Sequence, residues 1–229
     1  MSRTKTKTAR FDFHRSLKEE TWYPFLKYFR VERYFTRPVA SLIVRALYHT
    51  KITPNHLTYM AFYLGILSGM IYCFGEPFYF VIGGILIQLS SVFDCADGML
   101  ARSKDRCTRF GAYLDLFLDR ITDFFLLSGI VIGYYVYSGN LKFFVAGIFA
   151  VALSFLEMSL HYIIRAYKQR EKPGEAAAAR GLIIFLVFIA SLLNRLDVII
   201  LSYLLGAIIT IFYKAVVLIR EPLREEKRQ

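Results

Sequence analysis

Between residues 53 and 219 the chain is almost entirely a succession of apolar stretches, parted by brief polar breaks. A helix that crosses a bilayer needs about 20 mostly apolar residues, because it must satisfy its backbone hydrogen bonds internally across ~30 Å of hydrocarbon. Six segments meet that length: 53–75, 78–100, 111–137, 141–164, 175–194 and 196–219. On one side they are joined by Glu76-Pro77, Ser138-Gly139-Asn140 and Arg195, and on the other by longer basic turns. The fifth is the least apolar, since Glu175 to Arg180 is rich in Ala and Arg180 has to snorkel toward the headgroups. No cleavable signal peptide is expected, because the first long apolar stretch starts after residue 50.

Composition narrows the class further. Hydrophobic residues make up 56% of the chain and mean hydropathy is +0.42, whereas a soluble domain runs nearer 45–50% apolar. The 21 Phe and 16 Tyr exclude a disordered chain. Three cysteines, Cys73, Cys95 and Cys107, are too few for a disulfide scaffold and lack zinc-ligand spacing. The net charge of +11 comes without a finger or basic-aromatic sheet motif, so nucleic acid is not an expected partner. The charge is instead sorted by side. Residues 1–52 hold 12 Lys and Arg, 101–110 hold 4, 165–180 hold 5 and 214–229 hold 5, while the opposite side has only Lys142 and Arg195. Basic loops stay in the cytoplasm. The expectation is an all-α, multi-pass protein of the cell (inner) membrane, with six crossings and both termini cytoplasmic.

Four segments follow: a basic tail (1–21), a juxtamembrane segment (22–52), the six-helix domain (53–219) and a charged tail (220–229). The second interleaves Trp22, Tyr23 and Phe25 with Lys27, Arg30 and Arg33. It then sets Val39, Leu42, Ile43 and Leu47 apart from Ser41, Arg45 and His49. That pattern suits an amphipathic helix lying on an anionic leaflet among membrane lipids. Thr53 is placed to cap the first spanning helix, with Pro54 at its first position.

Five carboxylates interrupt this apolar pattern: Asp94 and Asp97 end the second span, and Asp115, Asp119 and Asp123 begin the third. Acids within a span are costly and mark function. Spacings of i,i+3 and i,i+4 put each pair on one helix face, and a ten-residue turn allows the two faces to meet. Converging carboxylates repel unless cations neutralise them. Hard oxygen donors without His or Cys favour Mg²⁺, Mn²⁺ or Ca²⁺ over zinc. Two such ions form the usual clamp for displacement at phosphorus. Gly98 opens space beside the backbone, and Arg102 supplies a charge suited to phosphate, with Lys104, Arg106 and Arg109 behind it. Gly111 permits close helix approach.

The pattern Asp94-x2-Asp97-Gly98-x2-Ala101-Arg102-x8-Gly111-x3-Asp115-x3-Asp119 resembles the signature of the CDP-alcohol phosphotransferase family at all eight fixed positions. The likeness extends through the six-span layout and the Thr53-Pro54-Asn55 opening. It implies transfer of a phosphoalcohol group from a CDP-alcohol to a hydroxyl, with release of CMP, in phospholipid synthesis. The implied donor is a CDP-lipid such as CDP-diacylglycerol and the acceptor a small polar alcohol. The reverse arrangement, a soluble CDP-alcohol with a lipid or polyol-phosphate acceptor, stays open. The resemblance also implies Mg²⁺ or Mn²⁺, as two ions, held by Asp94, Asp97, Asp115 and Asp119, with Asp119 as catalytic base. Asn55, Asp94, Gly98, Ala101, Arg102 and Gly111 would line the nucleotide site of a polar cavity open to the cytoplasm. A homodimer is implied as well.

The stretch Asp119-Arg120-Ile121-Thr122-Asp123 looks like that of members acting on inositol phosphate or related polyol phosphates. In those members basic residues near the ends of spans four and five hold the acceptor's phosphate, which points to Arg165, Lys168 and Arg180 here. The lysine they place before the first of these arginines is Ile163 or Ile164 in this chain. Asp123 reads either as an acceptor ligand or as an i,i+3 partner of Arg120. Glu157 reads either as an acceptor ligand or as the partner of a cation. Prenyltransferases and transporters also carry intramembrane acids, but neither accounts for the Gly-Ala-Arg turn or for acids gathered at one face.

Overall fold

A computed structural model describes the backbone of residues 32–168 and 175–226, and the side chains of 34–160 and 180–216. The described chain is all helical. A π-helical turn, Glu32–Thr36, runs into α1 (Arg37–Leu47). Six longer helices follow: α2 (Pro54–Tyr72), α3 (Pro77–Ser103), α4 (Arg109–Ser138), α5 (Leu141–Lys168), α6 (Glu175–Leu192) and α7 (Leu196–Glu226). They fall on the six apolar intervals, with ends displaced by a few residues and α7 continuing past 219.

The helix ends are set by local chemistry. Thr53 caps α2 with extended backbone, and its N–H donates to His56 Nδ1 at 3.2 Å. His56 is therefore a capping residue, a role its sequence position alone did not suggest. Thr108 accepts from the Gly111 N–H at 3.0 Å and starts α4. Gly139 ends α4 at φ +65°, a left-handed position that suits a residue without Cβ. Asn140 Oδ1 accepts from the Lys142 N–H at 3.0 Å and opens α5.

Helix α2 packs along both α3 and α4, α3 also contacts α6 and α1, and α5 lies against α7 and α4. The α2–α4 crossing is close enough that a Cβ on Gly129 would overlap the Gly69 carbonyl, and one on Gly133 the Tyr72 carbonyl. Small residues let helix backbones approach in this way where hydrophobic burial gives no driving force. Tyr72 is fully buried beside this crossing, and its hydroxyl lies 2.5 Å from Ser191 Oγ on α6. Tyr72, Phe80, Ile87, Ile130, Val187 and Ile200 form the main core.

Three described helices are long and apolar enough to cross a membrane: Pro77–Ser103, Leu141–Leu160 and Leu196–Val216. Helix α2 opens with the polar residues Asn55, His56 and Thr58, α4 carries Asp115, Asp119, Arg120 and Asp123, and the described side chains of α6 give a shorter apolar helix, Arg180–Leu192. Apolar side chains such as Ile209 (66% exposed) and Phe212 (71%) face outward. Such a surface suits lipid and not water. The chain is an integral membrane protein.

Away from the acids, the bundle ends in aromatic pairs. Phe74 stacks on Tyr79 with centroids 4.8 Å apart, Tyr134 meets Phe143 at 5.3 Å, and Tyr135 meets Phe144 at 4.8 Å. Glu157 pairs with Lys214, joining α5 to α7, so of its two readings the cation partner is the one realised.

Helix α1 buries Ala40 and Val44 in one cluster with Val92, Ala96 and Leu100, Ile43 and Leu47 pack against that cluster, and Val39 and Leu42 stay exposed. The small residues are what allow α1 to sit directly on α3. Residues 22–31 lie outside the described chain. Lys104, grouped with the phosphate-facing cations, instead donates to the carbonyls of Leu47, Thr50 and Ile52 at 3.3, 3.0 and 3.0 Å. It ties the segment after α1 to the end of α3. Lys104→Met removes three hydrogen bonds at a joint that water partly reaches, and Leu47 O still accepts from the Thr50 N–H and hydroxyl, so the expected cost is about 0.5–1.5 kcal/mol. Thermal unfolding in detergent checks this, and an unchanged midpoint contradicts it.

Candidate active site

Asp94 and Asp97 lie toward the C-terminal end of α3, facing Asp115, Asp119 and Asp123 in the first turns of α4. The turn at 104–108 reverses the chain so that both faces border one cavity. Its walls come from α2 (Thr58, Phe62), α3 (Ser90, Ser91, Asp94), α4 (Asp115, Asp119, Thr122) and α6 (Arg180, Ile184). Asp94, Asp97 and Asp115 each bring one carboxylate oxygen within 4.8 Å of the other two.

Asp97 is buried and accepts a hydrogen bond from Thr58 Oγ1 at 2.5 Å. Arg180 reaches Asp119, Asp94 and Asp123. Its Nη1 lies 2.6 Å from Asp119 Oδ1 and 3.7 Å from Asp94 Oδ2, and its Nε donates to Asp123 Oδ1 at 3.1 Å. Arg120 Nη1 meets Asp123 Oδ2 at 3.1 Å. Asp123 is thus both an i,i+3 partner and a brace for Arg180.

The trio fits a divalent cation. All its donors are carboxylate oxygens, the set that hard cations such as Mg²⁺ and Mn²⁺ prefer. Asp115 Oδ1 is also buried with no hydrogen-bond partner, a state that carries a desolvation cost until something binds it. Asp119 borders the same cavity, but its nearest cation is Arg180.

The residues expected at the nucleotide lie around the end of α3, the start of α2 and the start of α4. A Cβ on Gly111 would lie 3.5 Å from Asn55 Oδ1, so the entrance of α2 meets the start of α4. At Gly98 it would lie 3.4 Å from Arg102 Nη1, so the missing side chain leaves room for the guanidinium. Ala101 is half-buried on the same turn, and its carbonyl accepts from the Arg106 N–H at 2.9 Å. Arg165 and Lys168 are on α5, with side chains outside the described residues.

Sequence reasoning missed Thr58 and the hydroxyl-bearing wall of Ser90, Ser91 and Thr122. For Thr58 a signal existed: it is i+3 from Asn55, on a helix face already assigned to the site. Thr58→Val removes the group that orients Asp97. Groups that orient a metal ligand are worth about 10–100-fold in metal affinity, and a drop of that size in Mn²⁺ binding is expected. Unchanged binding contradicts it.

The chain belongs to the CDP-alcohol phosphatidyltransferase family, whose model matches residues 51–219. It is 41% identical over 100 residues to the bifunctional IPC transferase and DIPP synthase of Aquifex aeolicus, a match covering 44% of this chain and 22% of that protein. It is 29% identical over 153 residues to the archaetidylinositol phosphate synthase of Pyrococcus horikoshii, covering 64% and 73%. The fold is shared with Mycobacterium tuberculosis phosphatidylinositol phosphate synthase solved with CDP-DAG bound. That match has TM-score 0.63 and 21% identity over 78% of this chain and 92% of that one. A structure of the same protein with manganese and citrate gives TM-score 0.62 and 20% identity, over 77% and 87%. This chain spans only about a fifth of the length of the bifunctional relative it matches, at 22%.

Proposed function

We propose that this protein transfers a phosphatidyl-type group from a CDP-lipid to a hydroxyl of a polyol phosphate, releasing CMP. One observation carries the reading: three carboxylates converge within 4.8 Å, and two of them, Asp94 and Asp115, share one cavity with Asp119 and Arg180. Acids alone suit a cation; acids with an arginine at one wall suit two phosphate-bearing substrates meeting there. The names of the relatives, which include synthases of inositol phosphate lipids, favour inositol phosphate as the acceptor. The stretch from Asp119 to Asp123 favours it too.

Divalent metal bound by Asp94, Asp97, Asp115 and Asp119, as two ions, would offset the pyrophosphate charge and that of the leaving CMP. Asn55, Gly111, Gly98, Ala101 and Arg102 border the space assigned to the nucleotide. Arg180, with Arg165 and Lys168, receives the acceptor's phosphate. The acceptor hydroxyl attacks the phosphorus that carries the lipid alcohol. A new P–O bond forms as the bond to the bridging oxygen breaks, and that electron pair leaves with CMP. The hydroxyl proton passes to Asp119. Asp123 holds the arginine pair in register.

The reading places six crossings in the cell membrane, with both termini in the cytoplasm. Two features support it: basic residues crowd one side, and aromatic pairs collect at the opposite ends of α2 to α5, where a membrane interface favours them. The family resemblance adds a homodimer.

The test is CMP release in detergent with Mg²⁺ and CDP-diacylglycerol, across inositol phosphate, inositol, glycerol phosphate and serine. Inositol phosphate is expected to give the largest rate. A preference for serine or unphosphorylated inositol would overturn the acceptor assignment. Silence with all four would overturn the donor assignment.

A further inference from the structure

We infer that Arg180 is a built-in counter-ion of the acid cluster, and that a metal ion must displace it from Asp119 before the site is complete. The inference deepens the metal-dependent reading above and rests on it. The acids divide into two groups that share Asp94. Asp94, Asp97 and Asp115 converge on one another, and Asp115 keeps a buried oxygen without a partner. Asp94, Asp119 and Asp123 instead surround the guanidinium, at 3.7, 2.6 and 3.1 Å. One cation seat is therefore open, and the next is taken by a side chain of the protein itself.

This arrangement has a physical reason. Five carboxylates at the edge of a membrane repel one another strongly unless a fixed positive charge lies among them. The Arg180 side chain is only 18% exposed, so water screens its charge weakly. Its two anchors differ. Asp123 binds Nε and is itself held by Arg120, whereas Asp119 binds Nη1 on the cavity side. Losing Asp119 leaves the arginine tethered through Asp123, with its terminal nitrogens freed toward the cavity. The same movement clears a metal ligand, frees the proposed base and presents a guanidinium to an incoming phosphate.

Two cations should then bind unequally. A competing state that occupies a ligand nine-tenths of the time weakens apparent binding about tenfold. Mn²⁺ titrated into the purified protein, with free ion followed by electron paramagnetic resonance, is expected to reveal one tighter site and one about tenfold weaker or more. Arg180→Gln is expected to remove most of that gap by tightening the weaker site. Arg120→Gln deletes the same charge from the same region but vacates none of Asp94, Asp97, Asp115 or Asp119, so the gap should persist. If Arg180→Gln does not fold, Arg180→Lys serves, since an ammonium cannot hold Asp119 and Asp123 together as the fork does. It should narrow the gap in the same direction.

Equal sites in the wild type, an unchanged gap in the Arg180 variants, or equal narrowing in Arg120→Gln would each overturn the inference. These outcomes leave the metal-dependent reading intact. Failure of the wild type to bind Mn²⁺ at all would remove both.

Discussion

Asp97→Asn is expected to abolish CMP release, a loss of roughly 10³-fold or more, while the protein still folds. Asp97 is the most buried of the converging acids, and Thr58 fixes its orientation with a 2.5 Å hydrogen bond. The amide keeps the shape and can still bond Thr58, but it withdraws one negative charge from the set that holds the cation. Asp119→Asn is expected to act differently. It leaves the Asp94, Asp97 and Asp115 trio intact and so retains the tighter metal site, yet it removes the proposed proton acceptor, worth about 10²–10⁴-fold. Measuring CMP release and Mn²⁺ binding on both variants separates the roles. Near wild-type turnover in Asp97→Asn would contradict the assignment of the cluster.

Gly133→Val is expected to prevent assembly of the bundle. A Cβ there would overlap the Tyr72 carbonyl and come within 3.2 Å of Phe80. The obstacle is backbone, which no rotamer change relieves. Overpacking typically costs about 1–3 kcal/mol where side chains can adjust, and here α2 and α4 must separate. Their separation would also move Thr58 on α2 away from Asp115 and Asp119 on α4, which share its cavity wall, so stability and site are coupled through the crossing. Gly206→Ala is the control: nothing lies within 4 Å of its Cβ position on α7, and removing a helix-interior glycine should be neutral or stabilise by up to about 1 kcal/mol. The yield of monodisperse protein and its unfolding midpoint report both. Wild-type behaviour of Gly133→Val would mean the crossing is looser than described.

Much of this was legible in the sequence because the membrane makes two signals strong. Apolar length located α2 to α7, and the cost of charge in lipid singled out Asp94, Asp97, Asp115 and Asp119. Thr53, Pro54 and Gly139 marked helix ends through local chemistry that tertiary packing does not override. What stayed hidden depended on partners distant in sequence. Lys104 looked like one more basic loop residue, and only the path of residues 47–52 makes it a clamp. The family resemblance implied Arg180 as an acceptor ligand, while its distances to Asp94, Asp119 and Asp123 depend on how α6 docks against α3. The packing of Ala40 and Val44 against α3 was hidden for the same reason, since it depends on residues 92–100, about fifty positions away.

The most direct test is stoichiometry. Purified protein is given CDP-diacylglycerol and labelled inositol phosphate, and both CMP and label in the lipid phase are counted, with Mg²⁺ and then with chelator. One labelled lipid per CMP, both lost on chelation and restored by Mg²⁺ or Mn²⁺, is the predicted result. CMP released without labelled lipid, or transfer that continues in chelator, would contradict a metal-dependent phosphatidyl transfer at the aspartate cluster.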